Sequence, residues 1–397
     1  SVLLRINMLY QPNSVDILAW TLLFYCLLKY LKTLSNRWLY ISAVVFGLGF
    51  LNKYNILFLV IGLVPALLLV PQRIIFLNKH LYYAAILALL IILPNLIWQY
   101  QNHFPVVHHM QLLTKTQLVH VDRMVFLKEQ VLFFLGSLFV IVAGFISFFR
   151  YPPLRKYQVF FWTFLFTMLL FTYLKAKGYY AIGLYPIFLA FGAVYLEQVL
   201  SGRLIWLRAA ALLLVMVLFT PMVLVAFPIK SPSEIAGNSR IFQKLGLLRW
   251  EDGKDHLIPQ DFADMQGWKE LAKKVDLEYE KITDKQHTLI LCDNYGQAGA
   301  INFYSRFKNM GAVTMNADYI DWFPLDKEIK NIILVQNADD DDKERKREQA
   351  FFRKVSFTGK IENPYAREMG TSIYVLLDAK VSINSILKVE MAENKWD

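Results

Sequence analysis

Long apolar stretches crowd the first 228 residues of this chain and do not recur afterwards. A helix that crosses a bilayer needs about 20 mostly apolar residues. Eight stretches meet or approach that length: 14–31, 38–52, 54–71, 81–99, 128–149, 157–174, 180–200 and 204–227. They are too apolar and too many to be the buried helices of a soluble protein. The sequence therefore predicts a polytopic α-helical membrane domain over residues 1–228, with about eight spans, and a soluble domain over residues 229–397. The second and third stretches are separated only by Asn52 and Lys53, which implies a tight turn at the bilayer edge.

Charge divides along the same boundary. Residues 1–228 hold 17 Lys and Arg against 4 Asp and Glu, and the remainder holds 25 against 28. The net charge of +10 thus belongs to the membrane half. It points to positively charged loops and anionic partners at the membrane rather than to nucleic acid. Basic residues also set direction, because they favour the cytoplasmic side. If the turn carrying Lys29, Lys32 and Arg37 is inside, alternation puts Arg73, Lys79, Arg150, Arg155, Lys156, Arg203 and Arg208 inside too. The outer side receives Arg5, Lys53, Lys115, Arg123, Lys128, Lys175 and Lys177, and the soluble domain emerges outside.

The residues that break the rule are the informative ones. Lys53 falls at an outer turn, and Lys175 and Lys177 fall at an outer span end beside Tyr179 and Tyr180. Lysines at helix ends can simply reach out to the interface. Three on the disfavoured side instead suggest a cationic pocket for an anionic lipid head group such as a phosphate. Asp16 is the single acidic residue of the first span, near its outer end, and reads either as a helix cap or as a site residue. The outer loop 100–127 carries His103, His108, His109 and His120, followed by Asp122 and Arg123. That set raises a divalent metal, but its spacing matches no closed zinc pattern, and an amphipathic helix on the membrane surface is the competing reading. No motif requires a cofactor. Cys26 and Cys292 make no disulfide framework. Ser1 is not a start methionine and no signal peptide precedes the first span, so the chain is read as lacking an N-terminal piece.

In the second half, Pro228, Pro232 and the run SPSEIAGNSR mark the boundary. Helical periodicity over 268–282, with Asp264 or Gln266 as its start, precedes a buried strand at 287–292. A turn and helix follow in DNYGQAGAINFYSRF, and further strands are expected at 330–335 and 371–377, giving a small α/β unit. DNYGQAGA lacks both the dinucleotide glycine spacing and a phosphate-loop lysine, although a helix start there suits an anion or sugar hydroxyl. The acidic run 339–342 followed by KERKRE reads as a solvated loop leading into a helix, without calcium-loop spacing.

Several segments together resemble a known family. QPNSVDILAWTLLFYCLLKYL, GLGFLNKYNILFLV, LPNLIWQYQNHFPVVHH and KAKGYYAIGLYPIFLAFGAVYLE look like bacterial membrane glycosyltransferases of family 39. These are relatives of the protein O-mannosyltransferases and of the lipid A aminoarabinose transferase, with the GT-C fold. LIPQDFADMQGW, NYGQAGAINFYSR and NPYAREMGTSIYV are similar to the outward-facing C-terminal domain of many bacterial members, so the likeness runs collinearly over about residues 10–380. The resemblance implies transfer of a sugar from a polyprenyl-phosphate carrier to a lipid, polysaccharide or protein acceptor, at the outer face of the inner membrane, with a periplasmic soluble domain. It implies that Lys53, Lys175, Lys177, Tyr179 and Tyr180 hold the carrier phosphate. Asp16 would stand near a second acidic position of the cavity. His103 and Arg123 of the outer loop are read separately as further substrate contacts. The family's general base is a carboxylate ahead of the first span seen here, which puts it upstream of Ser1 and leaves the catalytic residue unnamed. The family's aromatic stretch before the last strands is altered to NADYIDWFPLD, which leaves an acceptor role for Trp322 open. A transporter or flippase of an anionic lipid, or a non-catalytic partner presenting its outer domain, would use the same features without the chemistry.

Overall fold

The computed structural model describes residues 2–116 and 118–394. The chain divides into two compact units, Ser1–Ile229 and Lys230–Asp397.

Every expected apolar stretch of the first unit is helical. The helices run Asn13–Thr33, Arg37–Asn52, Ile56–Leu68, Lys79–Gln101, Arg123–Phe133, Leu138–Arg150, Gln158–Tyr173, Tyr185–Val199 and Trp206–Ala226. Among the described residues four helical segments are long and apolar enough to cross a membrane: Asn13–Thr33, Lys79–Gln101, Gly178–Val199 and Gly202–Val223. The count reaches six if each bent pair is one span: Ile56–Leu68 with Pro71–Leu77, bent by 111°, and Arg123–Phe133 with Leu135–Arg150, bent by 60°. The helix Arg37–Asn52 has 16 residues, a rise of about 24 Å, short of a hydrocarbon core of about 30 Å. The expectation of about eight spans thus narrows to four to six by length and composition. Trp206–Ala226 is apolar on every side and leaves Leu212, Leu213, Met216 and Val217 exposed, the pattern of a helix whose solvent is lipid. This is the membrane unit of a multi-pass protein.

Small residues let these helices approach closely, as they do where lipid offers no hydrophobic drive to association. A Cβ on Gly192 would lie 1.9 Å from the Val140 carbonyl oxygen, and one on Gly144 would lie 2.4 Å from that of Phe188. Gly62 faces Thr167 and Gly49 faces Ala19 and Ile56 in the same way. Aromatic side chains fill the interior. Trp20, Phe24, Phe148, Phe160, Phe171 and Phe188 are fully buried, with Trp20 stacked on Phe171 at 6.4 Å.

The second unit is a mixed five-stranded sheet in the order β2-β1-β3-β5-β4. The strands are β1 Thr288–Cys292, β2 Val313–Thr314, β3 Asn331–Gln336, β4 Phe352–Lys360 and β5 Ser372–Ala379. β1 pairs in parallel with β2 and β3, while β5 lies antiparallel between β3 and β4. Alternation along the strands sends Ile290, Cys292, Ile333, Val335, Ile373 and Val375 to one core, shared with Leu271, Val275, Ala298 and Ile301. Leu289, Ile332, Leu334, Tyr374 and Leu376 pack on the other face with Ile383 and Leu387.

Three local expectations change. The helix Trp268–Lys281 starts from Gly267 at φ 87°, not from Asp264 or Gln266, because the preceding turn, Gln260–Ala263, is a separate short helix. The run SPSE is a capping box, with Ser231 and Glu234 bonded reciprocally at the start of Pro232–Gly237. The acidic run does not simply face solvent. Arg345 is buried, with Asp340 at 2.6 Å and Glu348 at 3.7 Å, and the following helix is only Lys346–Phe351.

Candidate functional site

The turn between Arg37–Asn52 and Ile56–Leu68 is fixed from both sides. The Lys53 amide closes the first helix on the Gly49 carbonyl, and Asn52 Nδ2 donates to the Pro12 carbonyl at 2.9 Å. The turn is thereby tied to the start of Asn13–Thr33. Lys53 Nζ donates to Asn13 Oδ1 at 2.5 Å. The ammonium also lies 4.5 Å from the centre of the Tyr180 ring and 5.0 Å from that of Tyr179, and these two rings meet edge to face. A cation over two ring faces is held by their quadrupoles.

Asp16 lies one helical turn below and is 5% exposed. Its Oδ1 accepts from Trp20 Nε1 at 3.0 Å, and its Oδ2 from Asn55 Nδ2 at 2.8 Å. Asn55 also donates to the Tyr180 carbonyl at 3.0 Å, so one amide joins the first helix, the 52–55 turn and the tyrosine turn. The charges of Asp16 and Lys177 both act on Lys53. Lys53, Asp16, Lys177, Tyr179 and Tyr180 are therefore brought to one place from segments more than a hundred residues apart. Asn55 Oδ1 is buried and has no hydrogen-bond partner among the described residues.

The tyrosine turn Gly178–Leu184 is held by the helix Arg123–Phe133. Gln130 Nε2 donates to the Gly178 carbonyl at 3.0 Å, and the Gly178 amide donates to the Glu129 carboxylate. Tyr185 Oη donates to Gln130 Oε1 at 3.1 Å. Arg123 reaches the end of Gln158–Tyr173, donating to the carbonyls of Thr172 at 3.1 Å and Tyr173 at 3.5 Å. That is a cation on the negative end of a helix. Lys175 follows at φ 54°, in the left-handed position that ends the helix, with the Ala176 amide bonded back to Phe171. Arg123 thus holds a helix end, and neither it nor Lys175 contacts Lys53 among the described residues. His103 also has positive φ, at the reversal before Pro105–Thr116. The helix Pro105–Thr116 exposes Val107, Met110 and Leu112. Among the described residues no three His, Cys, Asp or Glu side chains gather as a metal site.

In the second unit the helix start within DNYGQAGA is capped by its own side chain. Asn294 accepts from the Gln297 amide, and Gln297 is bonded in turn to Asn337 and Glu368, each at 2.7 Å. Trp322 is 61% exposed beside Tyr319.

Sequence reasoning found the charged and tyrosine members and missed Trp20, Asn13 and Asn55, although Asn55 stands two residues from Lys53. It also missed Glu129 and Gln130, which hold the turn.

Residues 1–98 match the family model of dolichyl-phosphate-mannose-protein mannosyltransferases. The matched segment contains Asp16, Lys53 and Asn55, while the 178–184 turn lies outside it. It is shorter than the 10–380 over which the sequence segments led one to expect the likeness. No curated protein matches the chain, and no solved structure does.

Proposed function

We propose that this chain is a membrane glycosyltransferase that moves a sugar from a polyprenyl-phosphate carrier to an acceptor at the outer face of a bacterial inner membrane. The observation that carries the reading is Lys53. It is a cation at a membrane helix turn, clamped by two tyrosines and balanced by a buried aspartate, inside the segment that matches the mannosyltransferase family. In this reading all eight apolar segments belong to the membrane domain, and residues 229–397 lie in the periplasm.

In the displacement, an acceptor oxygen bonds to the sugar's anomeric carbon as the bond to the carrier phosphate breaks. The phosphate gains charge as it leaves, so fixed cations stabilise the transition state more than the ground state. Lys53 receives that charge with Lys177 close enough to act on it. Asp16 keeps Lys53 charged, while its bonds to Trp20 and Asn55 hold the carboxylate in place. The acceptor's proton passes to a carboxylate base, which the resemblance places ahead of Asn13–Thr33.

The test supplies radiolabelled polyprenyl-phosphate hexose and membrane extract to the protein expressed from its whole gene. Transfer is expected, and Lys53→Ala should lower it by about a hundredfold, as loss of one transition-state donor does. Transfer that survives both Lys53→Ala and Lys175→Ala with Lys177→Ala would sink the phosphate assignment. The 111° break after Ile56–Leu68 favours a second reading, a flippase, because transporters place broken helices at their sites. Intact carrier crossing between leaflets without transfer would select it.

A further inference from the structure

The helix Trp268–Lys281 carries four lysines, and they are treated unequally. Lys274 is paired with Glu270 at 2.9 Å and Glu362 at 3.3 Å, and Lys281 with Glu278 at 2.7 Å. Lys269 and Lys273, one turn apart on another face, have no carboxylate within ion-pair distance among the described residues. They line a groove of about 410 Å³ together with Asp276, Leu277, Tyr304 and Arg306. That volume lies within the range of ligand pockets, roughly 300–1,000 Å³. Asp276 is 7% exposed and its carboxylate is turned toward the fold, so it offsets only part of the groove's positive charge. Ser305 Oγ donates to it at 2.6 Å and the Arg306 amide at 3.0 Å, which fixes the turn that presents Tyr304 and Arg306. Glu280 is bound to Arg306 at the edge.

The aromatic part is equally exposed. Tyr304 is 42% exposed with the Lys269 ammonium 5.5 Å from its ring centre, and Phe303, edge-on to it, is 72% exposed. Flat rings with an apolar body and a polar tip suit a saccharide, whose C–H face stacks while its hydroxyls stay wet. Two ammonium groups with no carboxylate in ion-pair distance among the described residues suit a phosphate or carboxylate, while the Arg306 guanidinium is held by Glu280 at the edge. The surrounding domain is net acidic, which disfavours a long polyanion and limits the attraction to one or two charges.

We propose that this groove binds an anionic sugar, with its ring on Tyr304 and its phosphate or carboxylate on Lys269 and Lys273. The proposal concerns binding alone and does not depend on the transferase reading.

Titration calorimetry on the full chain in neutral detergent tests it, with trigalacturonate, neutral maltotriose, inorganic phosphate and a short-chain soluble phosphatidylinositol phosphate as probes. Trigalacturonate or the phosphoinositide should bind at least tenfold more tightly than maltotriose and phosphate. Binding of only the first points to a free glycan, and of only the second to a lipid head group. Lys269→Ala with Lys273→Ala, and separately Tyr304→Ala, should each weaken that binding at least tenfold without lowering Tm, while Lys388→Ala leaves it unchanged. Phosphate binding as tightly as the sugars and indifferent to Tyr304→Ala overturns the proposal. Binding untouched by any groove substitution, or no binding by either anionic sugar, overturns it as well.

Discussion

Lys53 sits in a turn between helices, and its neighbours decide how long it stays charged as pH rises. Burial pushes its pKa down to about 8, the Asp16 carboxylate opposes that fall, and Lys177 adds to it. A cation needed for phosphate binding is lost above its pKa. Carrier binding should therefore weaken as pH rises past about 8, and Lys53→Arg should flatten the profile, because arginine keeps its charge. A binding titration against pH reads this directly, and a flat wild-type profile would contradict it. Lys53, Tyr179 and Tyr180 were singled out in the sequence because alternation of the apolar stretches would put that lysine on the disfavoured side of a membrane, an anomaly visible in one dimension. Asn55 and Trp20 carry no charge to draw notice. Asn55 earns its role from partners 39 and 125 residues away, which only folding brings near.

At the scale of elements, helix identity followed from apolar length, but helix contact followed from glycine. Gly144 and Gly192 place two backbones where no side chain fits, and backbone carbonyls cannot swing aside. Gly192→Ala should destabilise the unit by about 1–3 kcal/mol, the usual cost of overpacking, read as a fall in thermal midpoint in detergent. In the sheet, β4 and the two-residue β2 went unread. β4 is an edge strand whose exposed lysines and glycine disguise its alternation, and β2 is too short to show any. Where β1 ends, Asp293 has its pKa raised by burial and by Asp340, Asp339 and Glu368. A carboxyl whose folded pKa exceeds its unfolded one adds stability while protonated and loses it as pH rises through the folded value. Asp293→Asn should thus raise the thermal midpoint at neutral pH and give no gain below the carboxylate range. An unchanged midpoint at neutral pH would remove that group from the account.

For the whole molecule, the division into a lipid-facing unit and a sheet unit has a consequence for topology. If the basic residues set direction, a C-terminal alkaline phosphatase fusion should be active and a C-terminal fluorescent fusion dark in a bacterial host. The reverse pattern would invert the orientation. The sequence by itself determined that much of the chain lives in a membrane and that an α/β unit follows, because apolar length and strand alternation are local quantities. It also pointed to the basic residues worth examining, because charge in the wrong place is visible without a fold. The tertiary structure decided the rest. It bent Ile56–Leu68 away from Pro71–Leu77 and Arg123–Phe133 away from Leu135–Arg150. It gave Arg123 to a helix end, joined Lys53 to Asp16 and the tyrosine turn, and left Lys269 and Lys273 without an ion-paired carboxylate among the described residues while pairing their neighbours. Each of these depends on which side chains meet across distant segments, and no local pattern encodes that.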